Sequence, residues 1–281
     1  SIVEVSPYPH FVADDAMAAG EIERLLGNWP SREHFRAEIP GNFTQSVNAS
    51  PSDAALWRDH LSASVRALSR ATLAKFAPWI LRRFGDALTT ATANVLLMEA
   101  DPAFSGHPIH NHHWHSPNWV ATALVYLDDV ADGYSGTVIN KFRQDADLEA
   151  CARIFARTHL WTDDPDFSAH RVIGYARNRL FAFLDGPMSY HSTLPAQAGA
   201  EGHRRVLRIH ISVPWELCEA KYGVSEAAYQ ALHPRKIPAT DPRCLAWARS
   251  DLAVLSMPKA ISSDAARDWA SGLDINVPLA T

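Results

Sequence analysis

Five of the fourteen histidines in this chain lie between positions 107 and 115, in Gly106-His107-Pro108-Ile109-His110-Asn111-His112-His113-Trp114-His115. Neutral imidazole is the commonest protein ligand for a metal ion. Two imidazoles one residue apart on extended backbone project to the same side and can share an ion. Both His110/His112 and His113/His115 have that spacing. A third imidazole, His191, follows Asp185-Gly186-Pro187-Met188-Ser189-Tyr190. A strand-turn sequence of this kind lets a side chain reach back over the mouth of a sheet. Three protein ligands on one side of an ion leave positions open for substrate and oxygen, as in a catalytic facial site. One ion cannot take all five imidazoles of the tract, so the rest belong to its surroundings or face substrate. Two plainer readings stand beside this one. Isolated histidines such as His60, His159 and His233 read as surface or helix-packing residues. The tract itself could be a loop that binds metal only adventitiously.

The elements that would position these residues follow from periodicity. Residues 1–12 read as an extended entry. Asp14-Asp15 then suit the cap of a helix running to Leu25-Leu26, closed by Gly27-Asn28. Two helical patterns fill 52–84, with a break expected near Pro78. After Asp86 the pattern changes to strands: Thr89–Glu99, Trp119–Leu127, Gly136–Asn140, Arg179–Leu184 and Arg205–Val213. Alternation in the last of these puts Val206, Arg208, His210 and Ser212 on one face. Arg205, Leu207, Ile209 and Ile211 fall on the other. Residues 145–160 look helical, and the chain from Glu219 onward is helical with proline joints. Strands without regular βαβ alternation favour a mainly β core with flanking helices, as an antiparallel barrel or a double-sheet jelly roll. The expected organisation is an N-terminal strand and helical support over 1–87 and a jelly-roll core over 88–215, with an insertion or lid at 141–175. A helical cap or dimerisation segment follows over 216–281, which makes a homodimer one expectation.

Composition excludes several functions. A chain of 281 residues with 47% hydrophobic and 20% charged residues is ordinary for a folded domain. Its net charge is −5, and the pairs Arg82-Arg83 and Arg204-Arg205 are too short for a nucleic-acid or anionic-membrane surface. Cys151, Cys218 and Cys244 are an odd number without CxxC spacing, which argues against a disulfide framework or zinc ribbon. No apolar run approaches the ~18–20 residues of a membrane span. The first residues lack the basic-then-apolar pattern of a secretory signal, so a reducing cytoplasm is the expected compartment.

Taken in order, these segments resemble the iron(II)/2-oxoglutarate-dependent oxygenases, in particular their prolyl-hydroxylase-like branch. His110-x-His112 stands where the branch has His-x-Asp, ahead of Ala121-Thr122-Ala123-Leu124-Val125-Tyr126-Leu127. Ser135-Gly136-Thr137 is similar to its Gly-Gly turn, and Asn178-Arg179-Leu180-Phe181-Ala182-Phe183 leads to the distal His191. Arg204-Arg205-Val206-Leu207 supplies its arginine, and Pro7-Tyr8-Pro9-His10-Phe11-Val12 its entry strand. The resemblance covers roughly residues 5–30 and 90–215, and it lies in the order and spacing of motifs that are individually unspecific.

The resemblance implies Fe(II) held by His110, His112 and His191, with 2-oxoglutarate as co-substrate and O2 consumed. It also implies that an arginine and Tyr126 bind the co-substrate's far carboxylate. Arg205 fits the family spacing best, Arg208 is second, and Arg204 competes for the role. On the substrate side, His113, Trp114 and His115 are candidates, while Trp119, opening a strand, reads rather as core. The substrate would be a small amino-acid-like molecule or a peptide. The chain departs from the family at His112, where an acid is usual. A neutral imidazole there leaves the ferrous site at +2 instead of +1, favouring anionic co-ligands. Relatives that halogenate carry a small residue at this position, and a histidine fills that space. The departure keeps two alternatives open: a three-histidine iron dioxygenase that does without 2-oxoglutarate, and a jelly roll that binds metal or ligand with decayed chemistry.

Overall fold

The computed structural model describes residues 1–46, 54–113, 116–129, 133–142, 161–162, 167–232 and 242–278. The helix expected at 145–160 and the residues Trp114 and His115 lie outside this set.

Two sheets stack on one another. The larger has the order β1(His10–Ala13), β10(Leu180–Leu184), β6(Trp119–Tyr126), β12(Arg204–Ser212), β4(Thr90–Ala100), β3(Asn42–Ser46), β2(Arg36–Ile39). A short strand, β13(Asp274–Asn276), runs parallel to β4 at its outer end. The smaller sheet has the order β8(Trp161–Thr162), β5(His107–His110), β11(His191–Thr193), β7(Val138–Phe142), β9(Phe167–Val172). Apart from β13, every pairing is antiparallel. In chain order, β4, β6, β10 and β12 fall in the larger sheet while β5, β7, β9 and β11 fall in the smaller. That is the winding of a double-stranded β-helix, so the core is a jelly roll.

The period of two along the large sheet builds a different core on each side. Outward, Leu97, Ala123, Val125, Ala182, Leu207, Ile209 and Ile211 pack with Leu61, Leu73, Phe76 and Ile80. The latter four belong to one long helix, α1 being Ala19–Gly27 and α2 being Ala54–Phe84. Inward, Leu124, Tyr126, Phe181, Phe183 and Val206 meet Ile139 and Ile173 of the smaller-sheet side. The inward layer is narrower and carries the polar side chains of the cleft.

Three local expectations are corrected. The first helix begins at Ala19, not after Asp14-Asp15. Asp14 instead accepts from Arg179 Nε at 2.7 Å, and the Met17 backbone is pinned by Asn178 at 2.9 and 2.7 Å. Pro78 does not divide α2. It forfeits one backbone hydrogen bond, but buried Phe76, Ala77, Ile80 and Leu81 hold the helix on both sides of it. The hairpin β2–β3 and the strand β13, both absent from the sequence expectations, extend the sheet beyond β4.

The C-terminal helices are α3(Trp215–Tyr222), α4(Glu226–Leu232), α5(Pro242–Ser256) and α6(Ser263–Ser271). They close the outer face through a buried polar knot. Arg83 Nη2 donates to Asp251 Oδ2 at 2.7 Å and to Pro117 O at 2.9 Å. Tyr222 donates to the same carboxylate, and His113 Nε2 lies 3.5 Å from it. The knot ties α2, α3 and α5 to the loop that follows the histidine tract. No described helix is long and apolar enough to cross a membrane. Removing one partner of a buried pair strands the other's charge, which costs about 3–5 kcal/mol. Arg83→Leu is therefore expected to lower unfolding free energy in urea by about that amount, and Arg83→Leu/Asp251→Leu to recover much of it. Equal stability of wild type and Arg83→Leu would show the knot to be inert.

Candidate metal centre

Antiparallel pairing of β5 with β11 sets His110 directly opposite His191, although the two are far apart in sequence. His112 lies just past the end of β5. The ring centroids are 4.1 Å apart for His110–His191, 4.7 Å for His112–His191 and 5.1 Å for His110–His112. One nitrogen from each ring lies within 4.8 Å of the other two. All three side chains are buried.

The loops carrying them are held by side chains that replace backbone ladders. Asn111 Nδ2 donates to Gly186 O at 2.8 Å, and Asn111 Oδ1 accepts from His113 N at 2.8 Å. Ser189 closes the turn before His191, accepting from Gly186 N at 3.0 Å and donating to Gly186 O at 2.8 Å.

The second nitrogen of each ring fixes its tautomer. His110 Nδ1 lies 2.9 Å from Pro108 O, and His191 Nδ1 lies 3.1 Å from Ser189 O. A carbonyl can only accept, so both Nδ1 atoms carry hydrogen and both Nε2 atoms keep a lone pair. His112 Nδ1 faces Thr122 Oγ1 at 3.3 Å. The Thr122 proton is already given to Asp185 Oδ2 at 2.7 Å, so His112 must donate as well. Metal-binding histidines are oriented in this way, their far N–H given to an oxygen. Burial, and repulsion from neighbouring imidazoles, keep His110 well below the usual histidine range; burial brings His191 down to about 3. Both are neutral at neutral pH, the form that ligates. The donor set fits a first-row divalent ion from iron to zinc.

A second group, His112, Asp185 and His210, also brings ligand atoms within 4.8 Å of one another. Its middle is taken by the Thr122 hydroxyl, 2.7 Å from Asp185, 3.0 Å from His210 and 3.3 Å from His112. It is a hydrogen-bonded hub behind the three-histidine cluster. Burial pushes the Asp185 carboxyl up to about 6. Trp119, expected in the core, stacks on His210 with centroids 4.3 Å apart and meets His112 edge-on.

The remaining sequence candidates divide between the two faces of β12. Arg205 points outward, away from the cleft. Its Nε is 3.5 Å from Glu99, its Nη1 is 3.4 Å from Asp128, and it lies over the Trp29 ring. Family spacing selects it, but the two-residue period of the strand places its neighbours inside. Arg204 and Arg208 both line the cleft with the three histidines. Arg204 donates from Nε to Ser135 O at 2.9 Å and lies over the rings of Tyr126 and Tyr175. Tyr126 in turn donates to Thr137 Oγ1 at 2.9 Å. Gly136 allows this corner to close, since a Cβ there would stand 2.1 Å from Ile173 O and 3.0 Å from the Tyr126 hydroxyl. Among the described residues no acid lies within ion-pair distance of Arg208, whose buried Nε has no hydrogen-bond partner. His113, a substrate-side candidate, faces Asp251 and Trp247 of α5 instead. It anchors the loop there and belongs to neither ligand group found among the described residues. Asp185, Thr122 and His210 were not singled out by sequence. Period two places Thr122 and His210 on inward faces, while Asp185 reads as an ordinary turn residue.

No family model and no curated protein matches the chain. Among solved structures it is similar to a Phytophthora capsici prolyl 4-hydroxylase, at 16% identity and TM-score 0.48, over 88% of this chain and 77% of that one. A Pseudomonas putida prolyl-4-hydroxylase matches at 14% identity and TM-score 0.46, over 74% and 94%. A Burkholderia pseudomallei oxidoreductase of the 2OG-Fe(II) oxygenase family matches at 11% and 0.46, over 72% and 84%.

If the three Nε2 atoms form the site, His110→Ala, His112→Ala and His191→Ala should each weaken Co(II) binding at least about 10-fold. His113→Leu should leave it intact. Titration followed by the visible Co(II) spectrum reads this, and retention of the ion in His191→Ala would dismiss the site.

Proposed function

We propose that this protein is a non-haem iron oxygenase that uses 2-oxoglutarate to oxidise a C–H bond of a small amino-acid-like or peptide-borne substrate. The observation that carries the proposal is the shared cleft. Three imidazoles of fixed tautomer stand at one end, and the Arg204–Tyr126–Thr137 corner stands along the same inward face.

His110, His112 and His191 would hold Fe(II) through Nε2. When bound, the iron and 2-oxoglutarate supply the oxidising chemistry, in which the keto acid becomes succinate and CO2 and one oxygen atom enters the substrate. The chain's own part is placement and charge. With Nε held by Ser135, the other N–H groups of Arg204 offer a planar fork to the far carboxylate. Tyr126, beside it, would turn its hydroxyl proton from Thr137 Oγ1 to the same carboxylate. Burial keeps that hydroxyl protonated, its pKa raised above the ordinary tyrosine value. Arg208 adds a second positive charge beside His107 and His191, so the cleft favours an anion at the metal end too. The inward wall of Phe181, Phe183 and Leu124 excludes water from the space between.

A second reading is favoured by one observation: among the described residues, no carboxylate belongs to the three-histidine cluster. A three-histidine dioxygenase acting on a small thiol or aromatic without a keto acid would have the same ligands. In that case Arg204 and Arg208 would recognise the substrate's own acid group.

The reconstituted Fe(II) protein is expected to convert 2-oxoglutarate to succinate slowly without substrate. Arg204→Ala should raise the 2-oxoglutarate dissociation constant about 10- to 100-fold, the loss expected for a charge-assisted contact. Arg205→Ala should leave it near wild type. No succinate together with no 2-oxoglutarate binding by calorimetry would reject the keto-acid reading. Loss of binding in Arg205→Ala alone would reject the assignment of the corner.

A further inference from the structure

We propose that Asp185 supplies, from behind His112, the negative charge that three imidazole ligands cannot give the metal. The inference rests on the metal site proposed above and concerns a residue outside its ligand set.

Asp185 follows β10, and its backbone N–H bonds to Val120 O at 3.0 Å, which continues the ladder past the strand end. Its side chain has no exposure to solvent. Oδ2 accepts from Thr122 at 2.7 Å, and Oδ1 lies 3.3 Å from His112 Nδ1. Among the described residues, His112 is its sole ion-pair contact, and neither lysine nor arginine comes within 4 Å. A buried carboxylate with no cation is costly. A divalent ion at three neutral ligands carries the opposite, uncompensated charge. The two needs meet through His112. Its Nδ1–H points at the Thr122–Asp185 pair, its Nε2 at the cluster, and a carboxylate behind an imidazole makes that ring a stronger donor. Thr122 holds the geometry, with His210 as its third partner at 3.0 Å. Asp185 is thus a positioning residue. Among the described residues, the carboxylate missing from the ligand set stands one imidazole further out.

Asp185→Asn keeps the shape and an acceptor for Thr122 while removing the charge. It should bind Co(II) about 10- to 100-fold more weakly than wild type, and raise the Fe(III)/Fe(II) potential of the iron-loaded protein. The metal-free variant should melt at or above the wild-type temperature, because a buried unpaired charge is gone. In the Co(II) protein, one exchangeable imidazole N–H proton resonance should move and two should stay. A merely structural Asp185 gives the opposite pattern, a lower melting temperature with affinity and potential unchanged, and overturns the inference. Wild-type affinity and potential in Asp185→Asn, with the ion lost from His191→Ala, would sink the inference and leave the metal site standing. Equal binding by wild type and His191→Ala would remove the metal site and the inference together. Should Asp185→Asn fail to fold, Thr122→Val cuts the same link, and wild-type affinity and potential in it would equally overturn the role.

Discussion

The two-residue period of the large sheet decides which groups can meet. On β12 it sends Leu207, Ile209 and Ile211 outward against α2 and turns Arg204, Arg208 and His210 toward the cleft. A slip of one residue would exchange the two sets, burying guanidinium groups among leucines and exposing the apolar layer. The cost of that exchange fixes the register. Through the register, it fixes which arginine can face the cleft that the three histidines line.

Electrostatics follows from this division. Among the described residues, the inward face gathers imidazoles that burial keeps neutral, the guanidinium groups of Arg204 and Arg208, and the Asp185 carboxylate behind His112. The outward face handles its charges differently. Arg83 and Asp251 are paired at 2.7 Å, with Tyr222 and His113 completing the knot. The Arg83–Asp251 pair is satisfied within the protein, while the cleft has positive charge and nitrogen lone pairs to offer a ligand. A cleft of that kind suits a divalent ion together with an anion.

Much of the large sheet was legible because its strands are long and alternate or are wholly apolar. Of the smaller sheet only β7 was, as the strand expected over Gly136–Asn140. His107–His110 and His191–Thr193 are short and polar, and only pairing across the barrel makes them strands. The imidazoles could be read from spacing, since His-x-His on extended backbone has a physical meaning without the fold. Which arginines face the cleft could not, because spacing counts residues while the sheet counts faces. Asp185 was hidden for another reason. Asp-Gly-Pro is good turn chemistry, and nothing local tells a turn aspartate from one aimed at a histidine more than seventy positions earlier. The late start of α1 has the same origin, a contact between Met17 and Asn178 that no window of sequence contains.

The most direct test of the central claim is a crystal structure of the protein loaded with iron or cobalt under anaerobic conditions. The ion should sit on Nε2 of His110, His112 and His191, with Asp185 behind His112 and bonded to Thr122. An ion held by His112, Asp185 and His210, or by Asp185 directly, would contradict it.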